Sequence, residues 1–168
     1  MPPTGRWAKR IAVDELDGND RKILALLQAN GKLGARELAE RLSLSASPCW
    51  RRVKRLEALG VIDRYVAVLD PRSLGLHAVA HVHVSLVDHA EKTIEDFDRF
   101  VQRHEQVIEC SSITGDADYA LKVVAPDAEG LERFMMRELL ALGLVRSSTT
   151  NFVLRQTKRS TALPLDFA

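Results

Sequence analysis

The sequence predicts an α+β fold in two parts, a helical N-terminal unit closed by a β-segment and a C-terminal βαββαβ sandwich of the ferredoxin-like kind. Helical apolar spacing recurs three times between Asp17 and Gly60, with short turns between. Beyond Pro71, runs of strand-forming residues alternate with two amphipathic stretches. Charge divides at the same place. Residues 1–76 hold 14 Lys and Arg against 9 Asp and Glu, a net +5, whereas residues 77–168 hold 10 against 14, a net −4. A basic module that meets a polyanion, joined to a module with a different partner, fits that division.

Taken in order, residues 1–15 are an arm in which Arg6, Lys9 and Arg10 surround Trp7. Asp17 is placed to cap the first helix, Asp20 sits near its positive end, and Ile23, Leu24 and Leu27 share a face before Asn30-Gly31 ends it. Leu38, Ala39 and Leu42 mark a short second helix that stops at Ser43-Leu44. Ser45 caps the third, Pro48 is tolerated in its first turn, and Gly60 follows its end. Val61–Leu69 is rich in β-branched and aromatic residues and is expected as a strand or short hairpin beside the helices. Asp70-Pro71-Arg72-Ser73-Leu74-Gly75-Leu76 is turn chemistry and makes the linker.

The second part reads as strand 78–87, helix 91–104, strands 107–114 and 119–125, helix 127–142 and strand 145–156. Ile94, Phe97 and Val101 form the apolar stripe of the first helix; Leu131, Phe134, Met135, Leu139 and Leu142 form that of the second. Both cover one sheet face. On the first strand the other face holds Val79, His81, His83, Ser85 and Val87, partly apolar and suited to a partner subunit. The expected division is an arm over 1–15, a first domain over 16–69, a linker over 70–77 and a second domain over 78–168.

Composition narrows the function classes. With 46% hydrophobic and 28% charged residues the chain is neither disordered nor collagen-like. It has no apolar run of about 18 residues and no apolar N-terminal stretch, so no membrane is expected and a cytoplasmic location is. Cys49 and Cys110 lie far apart without metal-ligand spacing and read as reduced thiols. No nucleophile–base pair, phosphate loop or dinucleotide motif is visible, so no catalytic residue, cofactor or enzyme activity is expected. His81 and His83 share a strand face, but with no Cys or carboxylate pattern beside them an interface or surface role outweighs a metal site.

The third helix carries the most chemistry. Cys49, Val53 and Leu56 line one face while Ser47, Arg51, Lys54 and Arg55 project from the other. Arginine reads guanine bidentately and Lys or Arg holds phosphate, so such a face suits a major groove. By itself it is equally a solvated helix surface, diluted by Glu57. The short preceding helix, the Ser43-Leu44 turn and a wing bearing Arg64 tip the balance toward a winged helix-turn-helix. The candidate DNA-binding residues are Arg36, Ser45, Ser47, Trp50, Arg51, Arg52, Lys54, Arg55 and Arg64. For Trp50 packing beside the buried stripe is the stronger expectation, and the arm around Trp7 either follows the DNA backbone or is a frayed terminus.

Leu16-Asp17, Ile23-Leu24, Leu38-Ala39, Leu44-Ser45, the run Cys49–Glu57 and Gly60-Val61-Ile62 together resemble the leucine-responsive/asparagine-regulator (Lrp/AsnC, feast/famine) transcription regulators. Thr114-Gly115-Asp116-Ala117-Asp118-Tyr119 resembles the turn of that family's regulatory domain, which is RAM/ACT-like, and Thr161-Ala162-Leu163-Pro164-Leu165 resembles a common ending. The resemblance implies a regulator that binds pseudo-palindromic promoter DNA, dimerises through its sheets into tetramers or octamers, and takes an amino acid or related metabolite between dimers. It places Ser112, Thr114, Gly115, Asp116, Asp118, Thr149 and Asn151 at the effector, in a nucleoid-associated protein. A zwitterion needs acceptors for its ammonium and donors for its carboxylate, which these residue types supply. A Gly-Asp-x-Asp turn is also simply a tight turn. An architectural DNA-wrapping protein without an effector is the alternative.

Overall fold

The structure, a computed structural model, describes residues 16–165. The chain divides into two compact units: the described residues up to Val68 together with those from Lys158 on, and Leu69–Thr157.

The first unit is built on α1 (Gly18–Ala29), α2 (Ala35–Leu42) and α3 (Ala46–Ala58). Asp17 caps α1 as expected: its carboxylate accepts from the backbone N–H of Asn19 and Asp20, both at 2.9 Å, and the Asp20 carboxylate accepts from Asp17 N–H at 3.2 Å. Glu37 reaches back to Gly34 N–H at 2.9 Å to start α2. Ser43 ends it in the left-handed region, at φ 55°, and Leu44 N–H closes the turn onto the Ala39 carbonyl at 2.9 Å. Ser45 holds the N-cap position of α3, yet its hydroxyl makes no capping bond, so the expected cap is positional only. Ile23, Leu24, Leu27, Leu33, Leu38, Ala39, Cys49, Val53 and Leu56 form the core.

Two expectations for this unit change. Val61–Leu69 forms no strand; Tyr65, Val66, Val68 and Leu69 lie exposed. A β-segment needs a neighbour to take its N–H and C=O groups, and no described segment of this unit supplies a ladder. Residues 158–165, expected with the second domain, belong instead to the first, where Leu165 packs on the helical core.

The second unit contains β1 (Ala78–Leu86), α4 (Glu91–Arg103), β2 (Val107–Ser112), β3 (Tyr119–Ala125), α5 (Ala128–Phe134) and β4 (Val145–Phe152). The strands form one antiparallel sheet in the order β2-β3-β1-β4, which is the ferredoxin-like arrangement. Register sorts the faces. Val82 lies opposite Leu121 and Cys110 opposite Leu121 on the side buried by the helices, where Phe97, Phe100, Leu131, Phe134 and Leu139 complete the core. The other face presents His81, His83 and Ser85, Ala120 and Lys122, Glu109 and Ser111, and Thr149 and Asn151.

Boundaries shift for local reasons. β4 stops at Phe152, with Val153 N–H on the Val79 carbonyl as its last bond to β1, because β1 begins there. After Phe134 the expected long helix widens into a π-turn over Met135–Leu139 and a 3₁₀ turn over Leu140–Leu142. That widening admits one extra residue, so Leu139 is buried and Glu138 is exposed. In the linker Asp70 accepts from Ser73 N–H and Oγ at 3.0 and 2.6 Å and nucleates a 3₁₀ turn over Arg72–Leu74.

Candidate DNA interface and effector site

On α3 the angular positions decide which cations are available. At about 100° per residue, Ser47, Arg51 and Lys54 lie opposite the Cys49–Val53–Leu56 stripe, Arg55 on its flank and Arg52 close to it. Arg52 accordingly turns inward: its Nη1 donates to Asp17 Oδ2 at 2.6 Å and to Asp20 Oδ1 at 2.9 Å. Arg55 donates to the other Asp20 oxygen. Asp20 is fully buried, so one carboxylate from α1 holds two guanidinium groups of α3. Asp17 is held below the usual carboxylate range by the Asp20 N–H and by Arg52, and the two carboxylates in turn push Arg52 upward.

The remaining candidates sit at the surface. Lys54 is 2.6 Å from Glu57 Oε2 and 4.4 Å from the centre of the Trp50 ring. Trp50 is 49% exposed, so the expectation that it packs inward is corrected: the ring lies on the outer side under Lys54. Glu57 is held low by Lys54 and by the Tyr65 hydroxyl, which donates to it at 3.2 Å. Arg36 pairs with Glu40 at 3.1 Å and Arg64 with Asp63 at 3.5 Å. Arg51 is exposed with no hydrogen-bond or ion-pair partner among the described residues, and Ser45 and Ser47 are exposed near the N-terminus of α3. The arm around Trp7 lies outside the described residues.

The Asp20 clamp is what sequence reasoning missed. Asp17 and Asp20 were legible as helix-start residues, but their second role depends on a partner more than thirty positions away. The available signal was the angle of Arg52, near the buried stripe.

In the second unit, Ser112 ends β2 and Thr114, Gly115 and Asp116 form an exposed turn in which Gly115 has φ 121°. Ile113 N–H closes that turn on the Asp118 carbonyl at 2.9 Å. Asp118 itself is engaged: Oδ2 accepts from Leu86 N–H at 2.7 Å and Oδ1 lies 2.9 Å from His89 Nε2. His89 and then the Leu86 N–H hold its carboxyl below the ordinary range. The Asp116 carboxylate is exposed, while its carbonyl accepts from Ser85 Oγ at 3.3 Å. Thr149 and Asn151 lie on β4 beside β1, and Asn151 Nδ2 is 3.5 Å from His83 Nδ1.

One chain spreads this set over both edges of the sheet. The turn is held against β1 through Ser85 and Leu86, Thr149 and Asn151 lie on β4 beyond β1, and Ser112 at the end of β2 is three strands, about 14 Å, from β4 at the usual strand spacing. A cavity of about 510 Å³ lies elsewhere, over Phe100, Arg103, His104, Arg137 and Leu142. Both thiols are protonated, Cys49 pushed upward by burial and Cys110 to about 11 by burial and Asp98. No helix among the described residues is long and apolar enough to cross a membrane.

A family model described as the Lrp/AsnC ligand binding domain matches residues 79–163, and one described as a winged helix-turn-helix DNA-binding domain matches residues 16–63. The leucine-responsive regulatory protein of Escherichia coli is 37% identical over 156 residues, covering 93% of this chain and 95% of that protein, and that of Salmonella typhimurium matches equally. A transcriptional regulator of Neisseria meningitidis, solved in complex with L-methionine, is 40% identical with a TM-score of 0.87 over 90% of this chain and 97% of that one. An AsnC family regulator from Agrobacterium tumefaciens is 36% identical with a TM-score of 0.84, covering 90% and 98%. A feast or famine regulatory protein from M. tuberculosis, also complexed with L-methionine, is 29% identical with a TM-score of 0.77, covering 88% and 98%.

Proposed function

The chain belongs to the Lrp/AsnC family of DNA-binding transcriptional regulators, and from that premise we propose that it reads specific promoter sequences with α3 and changes its affinity when an amino acid or related metabolite binds between dimers. The observation that carries the DNA half is the sorting of cations on α3. Asp20 fixes Arg52 and Arg55 against α1, and Arg51 is left exposed beside Ser47 to enter a groove. Arg51 is the base reader, suited to bidentate contact with guanine, while Arg36, Ser45, Ser47, Trp50, Lys54 and Arg64 meet backbone or groove edge. Arg52 acts from behind as a positioning residue, and Arg55, 43% exposed, combines both tasks.

A dimer follows from the reading itself, since one recognition helix covers few base pairs and two-fold symmetry matches a pseudo-palindrome. The open sheet face, with His83 and Ala120 near its centre, is the surface we assign to it. For the effector, the spread of the candidates from Ser112 on β2 to Thr149 and Asn151 on β4 supports a site completed by another chain. Ser112, Thr114 and the amides around Gly115 supply carboxylate donors, Asp116 accepts from the ammonium, and Asp118 holds the turn in shape. Two relatives solved with L-methionine support an amino acid as the ligand class. Binding to promoter DNA supports our assignment of the protein to the nucleoid in the cytoplasm.

Two measurements test this. Arg51→Ala should weaken binding to a duplex selected by the full chain by about 1–3 kcal/mol in an anisotropy titration, with the melting temperature unchanged. Unchanged affinity would remove Arg51 from the reading face. A thermal-shift panel of the twenty amino acids should give one or two hits, because ligand at about 100 times its Kd adds roughly 2.7 kcal/mol to the folded state. A flat panel would remove amino acids as the effector and leave DNA binding intact.

A further inference from the structure

The Thr161–Leu165 ending takes no part in the function described so far, yet it is bound in detail. Gln28, on α1, grips one peptide unit of the tail from both sides: its Nε2 donates to the Leu163 carbonyl at 3.0 Å and its Oε1 accepts from Leu163 N–H at 2.6 Å. This is what a neighbouring strand would do to an extended chain. Arg21, seven positions earlier and therefore on the same stripe of α1, donates to the Leu165 carbonyl. Between those two grips stands Pro164, which has no N–H to satisfy and a fixed φ, so the segment is ordered at little entropic cost. Ser160 Oγ accepts from Ala162 N–H at 3.1 Å and shapes the approach. Leu165 then packs against the helical core, whereas Leu163 is 72% exposed. Recognition is thus by main chain alone at residue 163 and by both carbonyl and side chain at residue 165.

We propose that residues 158–165 are a peptide clip seated along α1, and that its seating sets the DNA affinity of α3. The clip ends at Arg21, the residue after Asp20, and Asp20 is the buried carboxylate that holds Arg52 and Arg55 of α3. Seating therefore orders the helical turn that fixes the recognition helix, and release loosens it. The helix-turn-helix unit is joined to Leu69–Thr157 at two points of the chain, and the second junction lies five residues after β4. Control of α3 by the clip requires DNA binding through α3 but no effector.

The variants are Gln28→Ala, which removes both grips on residue 163, and Leu163→Pro, which deletes the gripped N–H while sacrificing only an exposed side chain. Leu163→Ala, which keeps both main-chain bonds, is the control. Backbone amide exchange over α1 is measured on the full chain, followed by affinity for a duplex that the unaltered chain has selected from a random pool. The expected result is faster exchange over Arg21–Gln28 and DNA binding weakened by about five- to tenfold, the range of an ordinary coupling between two sites, in the two variants and in neither respect for Leu163→Ala. Faster exchange with unchanged DNA affinity would overturn the control of α3. Unchanged exchange would overturn the clip itself. Equal losses in Leu163→Ala would show that the side chain, and not the gripped peptide unit, is what counts, and would overturn it as well.

Discussion

Arg51 and Arg52 are adjacent in sequence and opposite in placement, and the difference is one step of about 100° around α3. Arg52 lies near the buried stripe and meets two carboxylates of α1; Arg51 faces away from them. Asp20 therefore stabilises the fold and aims the helix at once. Removing one partner of a buried pair costs about 3–5 kcal/mol when the other charge stays buried. Here the guanidinium groups are 31% and 43% exposed and regain water, so Asp20→Ala should cost about 2–3 kcal/mol in urea unfolding, below that range. It should also weaken DNA binding, whereas Arg51→Ala should weaken binding without loss of stability. A stability change below about 0.5 kcal/mol in Asp20→Ala, the scatter of ordinary surface substitutions, would show that the clamp contributes nothing.

Among the elements, what the sequence made legible was what depends on neighbours along the chain. The caps at Asp17 and after Leu42, the succession of strands and helices along the chain and both amphipathic helices were readable because their signals are local. Val61–Leu69 misled because its residue types favour a strand while no described ladder receives it. The π-turn was hidden because Leu139 and Leu142 still fit a helical stripe, and the tail because Leu163 and Leu165 resemble any apolar terminus. The candidate effector residues were named individually, but their spread from Ser112 on one edge strand to Thr149 and Asn151 on the other appears only with the sheet order. The Gly115 turn carries its own prediction. Asp118 is held low by His89 and Leu86 N–H, so its contribution to stability is complete above the unfolded carboxylate value of about 4 and is lost as pH falls through the lowered folded value. Asp118→Asn should cost about 1 kcal/mol near neutrality and flatten the acid limb of the stability curve, measured by thermal melting from pH 6 to 3. An acid limb identical to that of the unaltered chain would show that Asp118 does not titrate with folding.

At the scale of the whole molecule, the sheet has one face buried by α4 and α5 and one face open, with His83, Ala120 and Ser111 aligned across its middle. Ala120 makes no side-chain hydrogen bond there, and a glutamate at that position would point outward without breaking any bond in the chain. Ala120→Glu should consequently leave the single chain folded, with an unchanged far-ultraviolet circular dichroism spectrum. If two copies meet through this face, the substitution buries a carboxylate near its own symmetry mate, and the like charges disfavour association. The dimer Kd by sedimentation should rise at least about tenfold, which is 1.4 kcal/mol. DNA affinity should fall with it, because a lone recognition helix loses the half-site that symmetry supplies. An unchanged Kd would exclude the open face as the interface and would move the dimer contact to another surface, while weaker DNA binding at an unchanged Kd would mean that the sheet acts on α3 within one chain.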